Sequence, residues 1–349
     1  MPTLADTLDP DHNTLWAFNS NAEKLAALLD QANNVDQIPT INQVCALATM
    51  LTNYWTPDAA QQRALDRVIG AYGPQGHGGG FLQGQAALPW RHFSRELIAL
   101  QLVVRIAHYK YIEQKEHPLC GPVTFMHGIA RRNIEEYVLY VTGLAEIRRG
   151  DLGPNTVKVK SGSNLLGKRP RANGADQIRE ADYIALASLR EGSNLLAYRS
   201  ASTNRTLEGM STATTMKQWM RDAGFRNVED HIHNGWRLAG LLRKADRTRV
   251  GQSIIEPHLR TLRLRLAGGN TVMLVAAGSL GEMSLGRDYS QSALMRVFGG
   301  HFMLALSVQI SQTGATFGLV TWGRESAADV EIPWSKLASW YRGYICGLP

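Results

Sequence analysis

The hydrophobic pattern of this chain changes character near residue 270. Before that point, apolar residues recur at three- and four-residue steps, as at Leu25, Leu28 and Leu29, and this spacing predicts amphipathic helices. The predicted helices cover residues 22–31, 41–53, 59–71, 96–112, 134–147, 176–189, 212–223 and 236–244, with a further helix that begins at Pro122. Later, the apolar runs 271–277, 302–310, 316–322 and 340–345 predict strands, and Gln312, Thr313 and Gly314 predict a hairpin turn. Helices followed by an antiparallel sheet indicate an α+β fold.

A glycine-rich stretch over residues 73–80 interrupts the helical part of the chain. It lacks the Lys-Ser/Thr ending of a phosphate-binding loop, so the stretch is interpreted as a linker. With 349 residues, the chain is long enough for roughly two domains. We expect an N-terminal helical extension over residues 1–94 and a main domain over residues 95–349.

The charge balance is basic, because Lys plus Arg exceed Asp plus Glu by 37 − 30 = 7. The basic residues are scattered along the chain and no motif of a DNA- or RNA-binding module accompanies them. Two interpretations therefore stay open, a solvated surface and a functional basic face. Nucleic acid is not the expected partner.

Neither a membrane span nor a secretory signal is expected. No stretch approaches the ~18 consecutive apolar residues that a spanning helix needs. The N-terminus carries Asp6, Asp9 and Asp11 where a signal peptide has a basic flank and an apolar core. We expect the protein in the cytoplasm of the cell that makes it.

The chain has three cysteines, Cys45, Cys120 and Cys346, which are far apart in the sequence. Their number and spacing argue against a disulfide framework and against a zinc site with the usual ligand spacing. We expect three reduced thiols.

Cys120 stands just before the helix predicted to open at Pro122. The first turn of a helix offers unpaired backbone N–H groups and a partial positive charge, and both favour a thiolate. A thiolate is the form of cysteine that attacks a carbonyl group. A buried, inert cysteine at a turn is the alternative interpretation.

His301 opens an apolar strand directly after Gly299 and Gly300. A histidine at the start of a strand can face a cleft while the strand fixes its ring, although a structural histidine fits the same pattern. The segment Thr321, Trp322, Gly323 ends the strand that we expect to pair with the His301 strand.

Together, these segments resemble the papain-like cysteine peptidases. In that family a cysteine at the start of a central helix precedes a histidine that opens a strand, and an Asn-Ser-Trp-Gly motif follows. Cys120, His301 and the pair Trp322-Gly323 match this order, and Gln114 has the offset of the glutamine that helps to form the family's oxyanion hole. The match lies within residues 95–349 and is similar to the bacterial bacteriocin-processing and effector branches.

The resemblance implies a papain-like fold with the nucleophile on a central helix and acyl transfer by Cys120 and His301, a reaction that needs no cofactor or metal. Val320 occupies the position of the family's orienting Asn, so Thr321, a backbone carbonyl or an acid from elsewhere is left to orient His301. We predict Cys120 Sγ within ~3–4 Å of the His301 imidazole, and Trp322 covering the ring.

The other candidates for catalysis or metal binding are weaker. His231 and His233 share one side of an extended segment, but no carboxylate or cysteine has matching spacing for a metal site. His117, in a loop near Cys120, is the only rival base by proximity, and His127 follows Cys120 in the predicted helix. No Gly-x-Ser-x-Gly elbow is present for a serine nucleophile.

The expected function is therefore a cysteine peptidase that cleaves a protein target. Deamidation or transglutamination would use the same residues, and a catalytically inactive binding protein is the non-enzymatic alternative. The missing signal peptide, the divergent core and the N-terminal helical extension resemble bacterial effector toxins, and a housekeeping or maturation peptidase is the alternative context. Such toxins are delivered into another cell by a secretion system, and a cognate immunity protein neutralises them.

Overall fold

The computed structural model describes residues 20–35, 37–70, 79–115, 119–167, 178–193, 212–232, 244–286, 300–326 and 329–349. His117, His233, Gly299, the helix predicted over 236–244 and most of the predicted linker lie outside these ranges. The chain forms two compact units, Met1–His117 with Ile129–Glu208, and Pro118–Gly128 with Gly209–Pro349. The boundary predicted after residue 94 falls inside the first unit.

The described part of the chain is a mixture of helices and antiparallel strands, so the α+β class is confirmed. The helices are α1 (Asn21–Asn33), α2 (Ile41–Leu51), α3 (Ala59–Ile69), α4 (Arg95–Ala107), α5 (Cys120–Arg132), α6 (Ile134–Ile147), α7 (Glu180–Ser193), α8 (Ala213–Asp222), α9 (Lys244–Val250), α10 (Glu256–Ala267), α11 (Gly278–Ser284) and α12 (Trp334–Trp340). The strands are β1 (Arg149–Leu152), β2 (Asn155–Lys158), β3 (Arg226–Asp230), β4 (Thr271–Ala276), β5 (His301–Ile310), β6 (Gly314–Thr321), β7 (Arg324–Glu325), β8 (Ile332–Pro333) and β9 (Tyr341–Leu348).

The first unit is mainly helical. Helices α1, α2 and α3 each begin with a capping box, in which Ser20, Thr40 and Asp58 accept hydrogen bonds from backbone N–H groups that the helix leaves unpaired. Every residue of α4 except Glu96 is buried, so this helix forms the centre of the unit. The helix ends at Ala107, five residues earlier than the predicted range 96–112, because the backbone of His108 is extended.

A buried ion pair lies in the centre of the first unit. Arg105 on α4 donates from Nε to Asp182 Oδ1 on α7 over 2.7 Å, and both side chains are fully buried. The Glu113 N–H donates to Asp182 Oδ2 over 3.2 Å, and the Tyr137 hydroxyl lies 3.5 Å from Oδ1. These contacts supply the hydrogen bonds that a carboxylate needs when it leaves water.

The second unit is built on a seven-stranded sheet with strand order β3-β9-β4-β5-β6-β7, and β8 also pairs with β6. All its pairings are antiparallel. Strands β4, β5 and β6 confirm the runs predicted at 271–277, 302–310 and 316–322. The run predicted from 340 starts one residue later, because Trp340 is the last residue of α12.

The outer edge of β6 is occupied along most of its length. Strand β8 pairs with its beginning and β7 with its end. Between them, the Ser326 hydroxyl accepts from the Leu319 N–H over 2.9 Å and donates to the Phe317 carbonyl over 2.8 Å.

The two faces of the sheet carry different helices. On the even face, defined by Val272, Leu274 and Ala276, the strands pack with apolar residues of α10, α11 and α12 such as Leu259, Leu280 and Leu337 in one buried cluster. On the odd face, defined by Thr271 and Met273, the strands meet α5. A Cβ placed on Gly128 of α5 would lie 3.0 Å from Thr271 Cγ2 and 3.1 Å from Met273 Cε.

Helix α8 joins α5 on the odd face. The rings of Phe125 on α5 and Trp219 on α8 lie 5.7 Å apart. Met220 of α8 lies against Gly347 of β9, which pairs with Thr271. The second unit therefore has helices on both faces of its sheet. Among the described residues, no helix is both long enough and apolar enough to cross a lipid bilayer.

Candidate functional site around His301

His301 is the first residue of β5 and pairs with Ala276 of β4, so its side chain points to the even face. Its Nε2 lies 2.7 Å from the Thr321 hydroxyl at the end of β6. Leu304 pairs with Val320, which puts Thr321 opposite Met303 and diagonal to His301 on the same face. The His301 ring is therefore contacted from the strand that carries Thr321, which is one of the predicted alternatives. This contact uses Nε2, and Nδ1 is the second nitrogen of the ring.

Trp322 covers the imidazole, as the sequence predicts. The two rings stack with centroids 4.3 Å apart and an angle of 10° between their planes. Trp322 has a φ of 48°, in the left-handed region, and Gly323 follows with a φ of 69°. This backbone turns the chain from β6 into β7 and brings the indole back over the ring.

Helix α11 lies directly over the indole. A Cβ on Gly281 would approach Trp322 Cζ3 to 2.8 Å and Met303 Sδ to 2.9 Å. Real side chains do not tolerate such distances, so glycine at position 281 permits the close approach of α11. The imidazole is thus held between β6, Trp322 and the neighbouring strand.

Burial lowers the pKa of His301 from its ordinary 6.5 to about 3. The ring is therefore neutral at physiological pH. A resting thiolate–imidazolium pair needs a protonated ring, and the surroundings of His301 disfavour that state.

Cys120 is the first residue of α5 and is half-buried. Its helix packs on the odd face, whereas His301 points to the even face. Among the described residues, the His301 ring makes a hydrogen bond with Thr321. The predicted distance of ~3–4 Å between Cys120 Sγ and the His301 imidazole stays a prediction. The alternation of side chains along β4 and β5 fixes the face of the sheet that His301 occupies.

Gln114 and Val320 are the other two positions of the family motif. Gln114 belongs to the first unit, where it is buried and its Oε1 accepts no hydrogen bond from the described residues. Val320 is opposite Leu304, on the odd face. An asparagine at position 320 would therefore point away from His301, while Thr321, the next residue, points toward it.

A second cluster, which the sequence analysis missed, joins Glu229, His231 and Cys346. One potential ligand atom from each lies within 4.8 Å of the others. The spacing in the sequence offers His231 no carboxylate or cysteine as a further metal ligand, but the fold brings Glu229 and Cys346 close to it. Glu229 is two residues from His231, and Cys346 is brought in by the pairing of β3 with β9. In an extended strand residues 229 and 231 point to the same side, and this spacing could have indicated the pair Glu229 and His231. The strand β3 was not predicted from the sequence.

None of the three cysteines forms a disulfide, as expected. Comparison of the chain with protein-family models, with curated proteins and with solved structures gave no match. What the described residues define is an α+β protein with a mainly helical unit and a unit built on a seven-stranded antiparallel sheet.

Proposed function

We propose that the protein acts by binding a partner, and that Cys120 and His301 do not work as a hydrolytic dyad. The observation that carries this proposal is the β4–β5 register, which turns His301 to the even face while the helix of Cys120 packs on the odd face. General-base catalysis requires the thiol and the imidazole within hydrogen-bond reach. A one-residue change of register would be needed to turn His301 over, and the buried cluster on the even face opposes it.

The partner that fits best is a protein with an acidic surface. Helix α10 exposes Arg260, Arg263 and Leu264 at positions that share one side of a helix. Leu264 is 70% exposed, and the side chain of Arg260 is 59% exposed. Arginine beside an exposed apolar residue is typical of protein interfaces. The chain's net charge of +7 adds attraction for an acidic partner.

The proposed absence of a dyad is tested by alkylation of Cys120. We would measure its rate with iodoacetamide against pH in the wild type and in His301→Gln, and use peptide mass spectrometry to separate it from Cys45 and Cys346. The expected result is the same midpoint pH in both proteins. A midpoint that moves upward in the variant would show that His301 activates the thiol and would end this proposal.

The binding surface is tested with labelled polyglutamate. Arg260→Glu combined with Arg263→Glu should weaken binding, and raising the salt concentration should weaken wild-type binding. The matched control is Arg131→Glu combined with Arg91→Glu, which makes the same charge change at exposed arginines in the first unit. Equal weakening by both pairs would mean that net charge, and not α10, is responsible.

A second candidate function is cysteine hydrolysis of a protein target, and one observation favours it. His301 is held by Thr321 and stacked under Trp322, with Nδ1 as the remaining nitrogen, and Cys120 opens a helix. In this alternative the thiol would have to reach Nδ1 by rearrangement. Peptidase, deamidase or transglutaminase chemistry would follow, with Gln114 as an oxyanion donor. Delivery into a target cell and an immunity protein belong to this alternative.

The second candidate is tested by expressing the wild type and Cys120→Ala in the same cells. Protein termini, deamidated glutamines or new isopeptide bonds that occur only with the wild type would support hydrolysis or transfer. Identical proteomes would reject it.

A further inference from the structure

We propose that Glu229, His231 and Cys346 form a binding site for a divalent transition metal of the zinc class. This site is separate from Cys120 and His301 and does not depend on the proposed binding function. A thiolate, an imidazole and a carboxylate are the three ligand types that Zn²⁺ takes from proteins. Their potential ligand atoms lie within 4.8 Å of one another.

The sheet holds the three residues in place. Glu229 and Cys346 are direct cross-strand partners in the pairing of β3 with β9. His231 is two residues after Glu229, and its N–H donates to the Tyr344 carbonyl over 2.9 Å, so the pairing continues past the end of β3. Residues two apart on a strand point to the same side. Ligands fixed to paired strands lose little conformational entropy when a metal binds.

The neighbouring groups orient the imidazole of His231. The His231 ring stacks on Tyr344 with centroids 4.6 Å apart and an interplanar angle of 27°. Its Nε2 lies 2.8 Å from Glu229 Oε2. The charged or titratable groups near the cluster from α10 are Arg265, which donates to the same Oε2 over 2.6 Å, and His258, whose ring lies 5.9 Å from that of His231.

Small side-chain movements complete the geometry. Bonds of ~2.0–2.3 Å in a tetrahedral site separate the ligand atoms by roughly 3.3–3.8 Å. The ligand atoms must therefore approach one another by at most about 1.5 Å from their 4.8 Å limit. The side chains of Glu229 and His231 are 35% and 26% exposed, so both can rotate, whereas Cys346 is fully buried. A water molecule would complete four ligands, the arrangement typical of open zinc sites.

Arg265 neutralises Glu229 when no metal is bound. A cation at the cluster takes over this role, and the guanidinium, whose side chain is 39% exposed, can swing toward solvent. Arg265 therefore competes with the metal. Its removal should tighten metal binding by about tenfold, the factor expected for one unit charge ~6 Å from a divalent ion at a water-like dielectric constant.

The test is a titration of the full-length, metal-free, reduced protein with Co²⁺. Cobalt bound to a thiolate gives a charge-transfer band in the near ultraviolet, and added Zn²⁺ should abolish it. Cys346→Ser should remove the band, and His231→Asn should weaken Co²⁺ binding by more than about tenfold, since loss of a direct ligand exceeds loss of an outer partner. Arg265→Gln should strengthen it.

Cys45→Ser and Cys120→Ser are the matched controls, because each removes one thiol outside the cluster. Both should keep the band. Circular dichroism checks that each variant is folded. If Cys346→Ser fails to fold, His231→Asn still tests the site, because its ring is partly exposed and the substitution disturbs the core less. A wild type without the band, or a folded His231→Asn variant with unchanged affinity, would overturn the site.

Discussion

Replacing His301 by glutamine should remove a large part of the protein's loss of stability in mild acid. Burial holds the pKa of the folded ring at about 3, while the ring in the unfolded chain titrates near its ordinary 6.5. Between these two values the unfolded chain binds a proton that the folded chain does not. The stability contributed by the neutral ring is therefore complete above pH 6.5 and is lost progressively as the pH falls toward 3.

The magnitude follows from the two pKa values. A pH of 5 lies 1.5 units below the pKa of 6.5 that the ring has in the unfolded chain, and one unit corresponds to about 1.4 kcal/mol. The free energy of unfolding therefore falls by about 2 kcal/mol at pH 5. Glutamine does not titrate and keeps an amide that can reach the Thr321 hydroxyl. From pH 7 to pH 5, the wild type should thus lose about 2 kcal/mol more free energy of unfolding than His301→Gln does.

The assay is urea unfolding followed by tryptophan fluorescence at both pH values. His92→Gln is the matched control, because it makes the same substitution at an exposed histidine. If the wild type and His301→Gln lose the same free energy between pH 7 and pH 5, the ring is accessible to protons in the folded state. A protonated His301 could then form a resting pair with a thiolate.

Three further results are expected. Asp182→Asn should lower the free energy of unfolding by about 3–5 kcal/mol, because it leaves the buried Arg105 without a counter-charge. Asp151→Asn at the surface is the control, and it should change the free energy of unfolding by less than about 0.5 kcal/mol in the same urea experiment. Gly281→Ala should lower the free energy of unfolding by about 1–3 kcal/mol, since the added Cβ would clash with the Trp322 indole. Gly162→Ala is the control, because a Cβ at that position meets nothing within 4 Å. Equal melting temperatures of the two variants would contradict the close packing at Gly281. Trp322→Ala should raise the pKa of the imidazole that it covers, measured by NMR titration, because water then reaches the ring; an unchanged pKa would show that the indole does not exclude water.

The sequence was most informative where burial is strongest. Strands β4, β5 and β6 are continuous apolar runs, and such runs predict buried strands. Strand β3 was missed because Arg226, Asn227, Glu229 and Asp230 surround a single apolar residue, and its pairing with β9 supplies the order that its composition does not.

The site shows a different limit of sequence reasoning. The hairpin turn at Gln312, Thr313 and Gly314 predicts that the Trp322 indole covers the His301 ring, because hairpin neighbours are set by a local turn. It does not predict which face of the sheet His301 occupies. That face depends on register, and a shift by one residue reverses it. Gln114 shows the same limit, since its offset from Cys120 says nothing about the compact unit to which it belongs.

The occupied edge of β6 also bears on how the protein behaves at high concentration. An uncovered strand presents a row of backbone donors and acceptors to which a second molecule can add, and this addition starts many aggregates. Here β7, β8 and the Ser326 hydroxyl already use such groups on β6. At the opposite end of the sheet, β3 is short and carries Arg226 and Asp230, which disfavour the approach of another strand. Strand addition is therefore opposed at β6 and at β3, so a partner should dock on helices and side chains.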